Sequence, residues 1–185
     1  ICVDAVKLRH IHEEGDTVID LHIGDLVRYL KLLDSELMKI NAAIIESKDP
    51  ESDGLCDSGE YLIGNGLVAI QHYLKSVHCL SRVKAGVAFD TPPFVKDDVS
   101  FASALNAGAN YWKHQEEWFA TLSSGKDTSL KGKSLDTLAK LEKVTPWEDY
   151  TCANLLAILV DGKELELSAL LPKIIEWGDN LSRTR

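Results

Sequence analysis

The length, composition and charge of the chain narrow the classes of protein to which it can belong. Its 185 residues suit a single domain of ordinary size, and its 45% apolar and 26% charged residues are typical of a globular protein. A net charge of −9 argues against broad electrostatic binding to nucleic acid, so we expect no DNA partner. No apolar run approaches the ~20 residues that a membrane span needs, which predicts a protein without a membrane partner. The spacing of the cysteines is typical of a protein of the reducing cytoplasm, and we expect that location.

The four cysteines are scattered and indicate no metal site. Cys2, Cys56, Cys79 and Cys152 include no CxxC pair, which argues against a structural zinc site and against a disulfide framework. No phosphate loop, dinucleotide fingerprint, nucleophile elbow or HExxH motif is present. We therefore expect neither a metal nor a cofactor.

The amino-terminal part of the chain predicts an irregular segment followed by a long helix. Residues 1–19 are predicted to be irregular, and only the first dozen of them show weak strand-like alternation. From Asp20 onward, apolar residues recur at steps of three and four, which is the stripe of an amphipathic helix. A breaker-rich stretch, residues 48–54, predicts the turn that ends this helix.

The second predicted helix contains two glycines that need an explanation. Its start is a variant capping box, in which Asp57 accepts a backbone bond and Glu60 returns one. Gly64 and Gly66 lie inside it, and each costs on the order of 1 kcal/mol relative to alanine. We expect them to allow close packing against the small residues 107–109 of the next helix.

The second half of the chain predicts further helices separated by a linker and a loop. Two consecutive prolines make residues 89–94 an extended linker, because proline cannot continue a helix. Helices are predicted from about 97–100 to Leu122, after Ser134, from Thr145 to Asp161 and from Ser168 onward, with a mobile loop at 123–133. The sequence thus predicts one all-α domain over residues 1–185, an antiparallel bundle of five to six helices.

The strongest candidate site lies on the third long helix. Asn106, Asn110 and His114 recur every four residues and therefore share a helix face. His114 can act as a general acid or base near neutral pH, and Asn110 can orient a substrate, which makes these two the candidate catalytic residues. The candidate substrate-binding residues are Lys113, Asn106, Asn65 and Glu117.

The same residues have a structural interpretation. The two asparagines can bond to a neighbouring helix, while the histidine is satisfied locally. Trp112 and Trp118 are then anchors of the core or of an interface. The sequence leaves both interpretations open.

A helical bundle with a polar residue and a histidine near the end of its third major helix resembles the HEPN superfamily, many of whose members are ribonucleases of toxin and antiviral defence systems. The resemblance covers the first three long helices. His114 matches the histidine of the family motif and Asn110 its polar residue, while Ala109 occupies the position of its arginine. The resemblance implies a homodimeric bacterial protein of a defence or toxin–antitoxin system that acts on RNA without a metal ion.

Three functions follow from these observations. The first is a HEPN-like protein that binds or cleaves RNA, or binds nucleotide, through Asn110, Lys113 and His114. The second is a non-catalytic helical module that binds a protein partner through an interface anchored by Trp112 and Trp118. The third is a small-molecule-binding bundle, which needs a pocket between helices.

Overall fold

A computed structural model describes residues 9–13, 16–20, 22–96, 98–123, 130, 132–146 and 149–184. This part of the chain is mainly helical, which confirms the all-α fold class, and none of its helices is both long and apolar enough to cross a bilayer. Its helices are α1 (His22–Glu46), α2 (Leu55–Ser81), α3 (Ala85–Asp90), α4 (Phe101–Ser123), α5 (Lys133–Val144), α6 (Thr151–Leu159) and α7 (Leu171–Arg183), with a 3₁₀ helix at Leu167–Leu170. Its strands are β1 (Arg9–Glu13), β2 (Asp16–Asp20), β3 (Phe94–Lys96) and β4 (Val99–Ser100).

Helices α2 and α4 form the centre of the fold. Helix α2 contacts α1, α4, α6 and α7, and α4 contacts α5, α6 and α7 as well as α2. Leu67 and Leu74 of α2, and Phe101 and Leu105 of α4, are fully buried. Burial of each such side chain contributes about 1.5–3 kcal/mol to folding. Helix α1 covers this centre with the predicted apolar stripe, whose buried residues are Ile23, Leu26, Leu30, Leu33 and Leu37.

The glycines of α2 do allow close packing, but not against the small residues of α4. A Cβ at Gly64 would overlap the indole of Trp112, and one at Gly66 would overlap the side chain of Leu167. On α4, the space at Gly108 is filled by Leu155. Each glycine therefore makes space for one large side chain from another element. The missing Cβ leaves room for a ring or a branched group, and the glycines do not pack against one another.

Two helices begin at other residues than the sequence indicated. The start of α2 has no side-chain cap, and the start of α6 is capped by a carboxylate from α2. Helix α2 begins at Leu55, after Gly54 in the left-handed region (φ 69°), so the predicted capping box of Asp57 and Glu60 is wrong. Helix α6 begins at Thr151 rather than near Thr145, whose backbone ends α5 instead. Trp147 and Glu148 of that predicted start lie outside the described residues.

The last helix also begins differently from the prediction. A 3₁₀ turn at Leu167–Leu170 precedes α7, whose first turn contains Pro172 as expected. The carboxylate of Asp34 on α1 accepts the backbone N–H groups of Leu167 (2.7 Å) and Ser168 (3.0 Å). This contact from α1 satisfies amide groups that a helix start leaves without intrahelical partners.

The amino-terminal segment and the linker contain short hairpins. Residues 1–19 were expected to be irregular, but β1 and β2 pair antiparallel, with Ile11 opposite Val18. β-Branched residues favour strands, and the pairing supplies backbone bonds that a single weak pattern does not reveal. In the second hairpin, β3 and β4 follow the predicted linker and lead directly into α4. Most of the predicted loop at 123–133 lies outside the described residues.

Candidate functional site

The two predicted asparagines form a hydrogen-bond network between α2 and α4. The amide nitrogen of Gln71, a residue only 3% exposed, donates to the side-chain oxygens of Asn106 (2.8 Å) and Asn110 (2.9 Å). Asn106 and Asn110 therefore share a face, as predicted, and that face meets the neighbouring helix. Because a buried amide without partners costs about 1–3 kcal/mol, this arrangement supports the structural interpretation of both asparagines.

Lys113 completes the same network. Its ammonium donates to Gln71 Oε1 (2.8 Å), so the glutamine is satisfied at both ends of its amide. Loss of hydration on burial, and to a smaller extent the nearby charge of Lys75, hold the pKa of Lys113 below its ordinary value. The lysine predicted to bind a substrate thus bonds to an α2 side chain.

His114 lies outside this network. Its side chain is 47% exposed, its Nδ1 lies 3.3 Å from Oε2 of Glu117, and its ring stacks on Trp118 with 6.1 Å between centroids. Trp118 itself is buried, so it belongs to the core rather than to an exposed interface. Asn65 is separate again, because its side chain donates to the carbonyl of Tyr61 on its own helix (2.7 Å).

A hollow opens on the side of α4 opposite Asn106 and Asn110, and we name it the acidic-aromatic cleft. It has a volume of about 620 Å³ and lies between the amino-terminal turns of α2, the second half of α4 and the turn before α6. Its lining residues are Glu51, Asp57, Glu60, Tyr61, Tyr111, Trp112, Gln115, Phe119, Asp149 and Tyr150. Three segments distant in the sequence therefore meet at one concave surface.

The cleft is strongly negative. Four of its lining residues carry carboxyl groups, and within the described part of the chain no Lys, Arg or His lines it. Loss of hydration and the charges of Glu51, Asp57 and Asp149 raise the pKa of the Tyr150 phenol above its ordinary value. The electrostatic field at Tyr150 thus opposes a further negative charge, such as a phenolate, and favours a positive charge.

Two aromatic rings form a corner in this cleft. Tyr61 of α2 and Trp112 of α4 lie 5.8 Å apart between centroids and are nearly perpendicular, at 78°. The Trp112 indole fits there because Gly64 has no side chain to occupy its place. Tyr61 is 61% exposed, so the corner faces solvent. Ring faces of Tyr and Trp attract cations through the ring quadrupole.

Glu60 holds the turn before α6, which lines one side of the cleft, in place. Its two carboxylate oxygens accept the backbone N–H groups of Cys152 (2.7 Å) and Ala153 (2.8 Å) at the start of α6. Tyr150, immediately before that start, has a left-handed backbone (φ 57°, ψ 43°), which costs a non-glycine residue about 1 kcal/mol or more. Asn154 also donates to the carbonyl of Asp149 (3.1 Å). These bonds fix Asp149 and Tyr150 at the cleft.

Most of the cleft was missed by sequence reasoning. Trp112 was predicted as an anchor and Glu60 as a cap, but Tyr61, Asp149 and Tyr150 carried no motif. The available signal was the placement of an acidic residue and a tyrosine within one turn of α2, at 57–61, together with the Asp-Tyr pair at 149–150. Neither pattern indicates that the two pairs meet, because their meeting depends on how α2, α4 and α6 pack.

Comparison with known proteins adds no relative. No family model matches the chain, and no curated protein or solved structure matches it at a significant level. Membership of the HEPN superfamily stays a prediction. A function for the chain therefore has to come from its own residues and their geometry.

Proposed function

We propose that this chain is a non-catalytic binding module whose acidic-aromatic cleft takes an organic cation carried by a partner. The observation that supports it is the combination, in one hollow of about 620 Å³, of four carboxyl groups with a perpendicular Tyr61–Trp112 corner. Carboxylates supply long-range attraction for a positive charge, and aromatic faces supply a contact that ammonium and guanidinium groups use when they lose water. The cleft thus develops the predicted Trp-anchored interaction module, with Trp112 as its anchor.

The geometry favours an organic cation over a metal ion. Among the residues that the structure describes, no group of three or more His, Cys, Asp or Glu side chains is placed to hold a metal. Hard cations need several oxygen ligands at 2–2.6 Å around one point. The carboxyl groups of the cleft are instead spread around aromatic walls. A ligand with diffuse charge and apolar surface satisfies both kinds of wall.

Choline and its uncharged isostere 3,3-dimethylbutan-1-ol test this proposal. We expect choline to bind and the isostere to bind at least about tenfold more weakly, because only choline gains the carboxylate and cation–π attraction. The measurement is isothermal titration calorimetry at low and high salt, with weaker choline binding expected at high salt. Bound choline should also lower the pKa of Tyr150, read from phenolate absorbance, since a positive charge offsets the carboxylates.

A matched pair of charge variants gives the control. Asp57→Asn with Asp149→Asn removes two cleft charges and should weaken choline binding about tenfold. Glu142→Gln with Glu176→Gln changes the net charge equally at exposed positions outside the cleft and should leave choline binding unchanged. Equal binding of choline and its isostere, or equal loss in both double variants, would contradict the proposal.

RNA cleavage by a HEPN-like dimer is a second proposal, favoured by one observation. The imidazole of His114 is half exposed and its Nδ1 lies 3.3 Å from the Glu117 carboxylate, a pairing that suits a general acid or base. The partner would be RNA or nucleotide, and the setting a bacterial defence or toxin system. The net charge of −9 makes this proposal the weaker of the two.

Incubation of single-stranded RNA with the purified chain in chelator tests the second proposal. If His114 is catalytic, His114→Ala should reduce the cleavage rate by about 100-fold or more, while His72→Ala, a change at another exposed histidine, should leave it unchanged. The rate is read from fragments on a denaturing gel. Undiminished cleavage by His114→Ala, or no cleavage by the unaltered chain, would rule out the role.

A further inference from the structure

A second hollow adjoins the acidic-aromatic cleft, and we name it the apolar groove. It has a volume of about 490 Å³ and lies between α1 and α2. Its lining residues are Glu36, Ile40, Leu55, Asp57, Ser58, Tyr61 and Leu62. Asp57 and Tyr61 line both hollows, so the cleft and the groove meet at these two residues.

The two hollows differ in chemistry. Three aliphatic side chains, Ile40, Leu55 and Leu62, line the groove, and all three are only partly buried. A ligand that covers them therefore removes apolar surface from water. Glu36 at the groove is paired with Lys39 (2.7 Å), which offsets its charge, whereas the cleft is lined by four carboxyl groups and no basic residue of the described chain.

We propose that the partner presents a polypeptide segment, with a Lys or Arg side chain in the cleft and an aliphatic side chain in the groove. This inference rests on the proposed function and specifies the chemical class of the ligand that the cleft binds. A small free cation fills the cleft alone and leaves the groove open to water. An extended segment presents residues two positions apart on one side, about 7 Å from each other, which suits two adjoining hollows that share Asp57 and Tyr61 as lining residues.

The charge of the chain supports a basic segment as the occupant. Its net charge of −9 attracts such a segment over a distance, and the carboxyl groups of the cleft orient its cationic residue. The aliphatic residue then decides between basic segments, because charge alone attracts all of them. The groove thus determines which basic segment binds, and the cleft attracts basic segments in general.

Four short, capped, otherwise identical peptides test the inference by calorimetry. Their central residues are Lys-Ser-Leu, Lys-Ser-Ser, Ser-Ser-Leu and Ser-Ser-Ser. We expect Lys-Ser-Leu to bind about tenfold more tightly than Lys-Ser-Ser, the change that partial burial of one leucine produces. We expect the two peptides without lysine to bind more weakly than either.

The outcomes separate the two proposals. Equal binding of Lys-Ser-Leu and Lys-Ser-Ser overturns the inference and leaves the proposed function in place. Binding of Ser-Ser-Leu as tight as that of Lys-Ser-Leu contradicts the proposed function and, with it, the inference. No binding of any peptide overturns the inference, and the choline titration then decides the proposed function. These comparisons use the unaltered chain, so they do not depend on the folding of a variant.

A groove variant locates the aliphatic contact. Ile40→Gln with Leu55→Gln should bring the affinities for Lys-Ser-Leu and Lys-Ser-Ser to within about twofold of each other, because the groove no longer offers an apolar contact to leucine. Met38→Gln changes another exposed apolar residue of α1 that does not line the groove, and it should keep the tenfold preference. A preference retained in the groove variant would place the leucine elsewhere and overturn the inference.

Discussion

Gly64→Ala is expected to lower the free energy of unfolding by about 1–3 kcal/mol and to weaken choline binding by at least tenfold. The new Cβ would overlap the fused ring system of Trp112, which cannot bend away as a flexible chain end can. The indole must therefore shift, and the Tyr61–Trp112 corner of the cleft opens with it. Urea unfolding followed by circular dichroism gives the first quantity, and calorimetry with choline gives the second.

Gly59→Ala is the matched control for this change, since it lies on the same helix. A Cβ at Gly59 would lie 3.9 Å from Cγ2 of Ile40, an ordinary contact. Alanine should therefore raise the free energy of unfolding by about 0.5–1 kcal/mol, through its higher helix propensity, and leave choline binding unchanged. A Gly64→Ala variant as stable as Gly59→Ala would show that Trp112 does not need the space at Gly64.

Glu60→Ala is expected to lower the free energy of unfolding by about 2–3 kcal/mol. The change removes both acceptors of the Cys152 and Ala153 amides at the start of α6 and leaves these partly buried groups without partners. It also removes a negative charge from a helix amino terminus, where such a charge is stabilising. Urea unfolding measures the effect. Glu60→Gln, which keeps one acceptor oxygen, should lose about half as much.

Asp57→Ala separates the structural role of Glu60 from the binding role of the cleft. Asp57 is exposed and lines the same cleft one turn earlier on α2. Its removal should change the free energy of unfolding by less than about 0.5 kcal/mol but should weaken choline binding. Equal loss of stability in Asp57→Ala and Glu60→Ala would contradict the capping role of Glu60.

The long helices could be predicted from the sequence because their signal is local. The leucine stripe of α1 and the prolines of the linker lie within a few turns of the features they specify. The stripe agrees with the structure, and so does the linker at residues 91–94, whereas Phe89 and Asp90, which were predicted to belong to the linker, end α3. The helix starts at 57 and 145 were misplaced for the opposite reason. The carboxylate of Glu60 bonds to a backbone amide 92 residues further along the chain, and no local pattern reports such a contact.

The candidate site on α4 was also predicted only in part from the sequence. Helical spacing placed Asn106 and Asn110 on one face, and the structure shows that face bonded to Gln71. His114 continues the spacing but lies near the exposed end of that face, where its contacts are Glu117 and Trp118. Spacing fixes the direction of a side chain on its helix, whereas its burial depends on which side chains of other helices pack over it.

The sequence by itself determined the all-α class, the order of the long helices and the negative charge of the chain. These follow from apolar periodicity, breaker residues and composition, which are properties of short segments or of the whole chain. Only the tertiary structure brought Tyr61 to Trp112 and the carboxyl groups near residues 51–60 to Asp149. A cleft forms where separate helices pack, so its residues share no spacing along the chain and their joint chemistry exists only in the folded molecule.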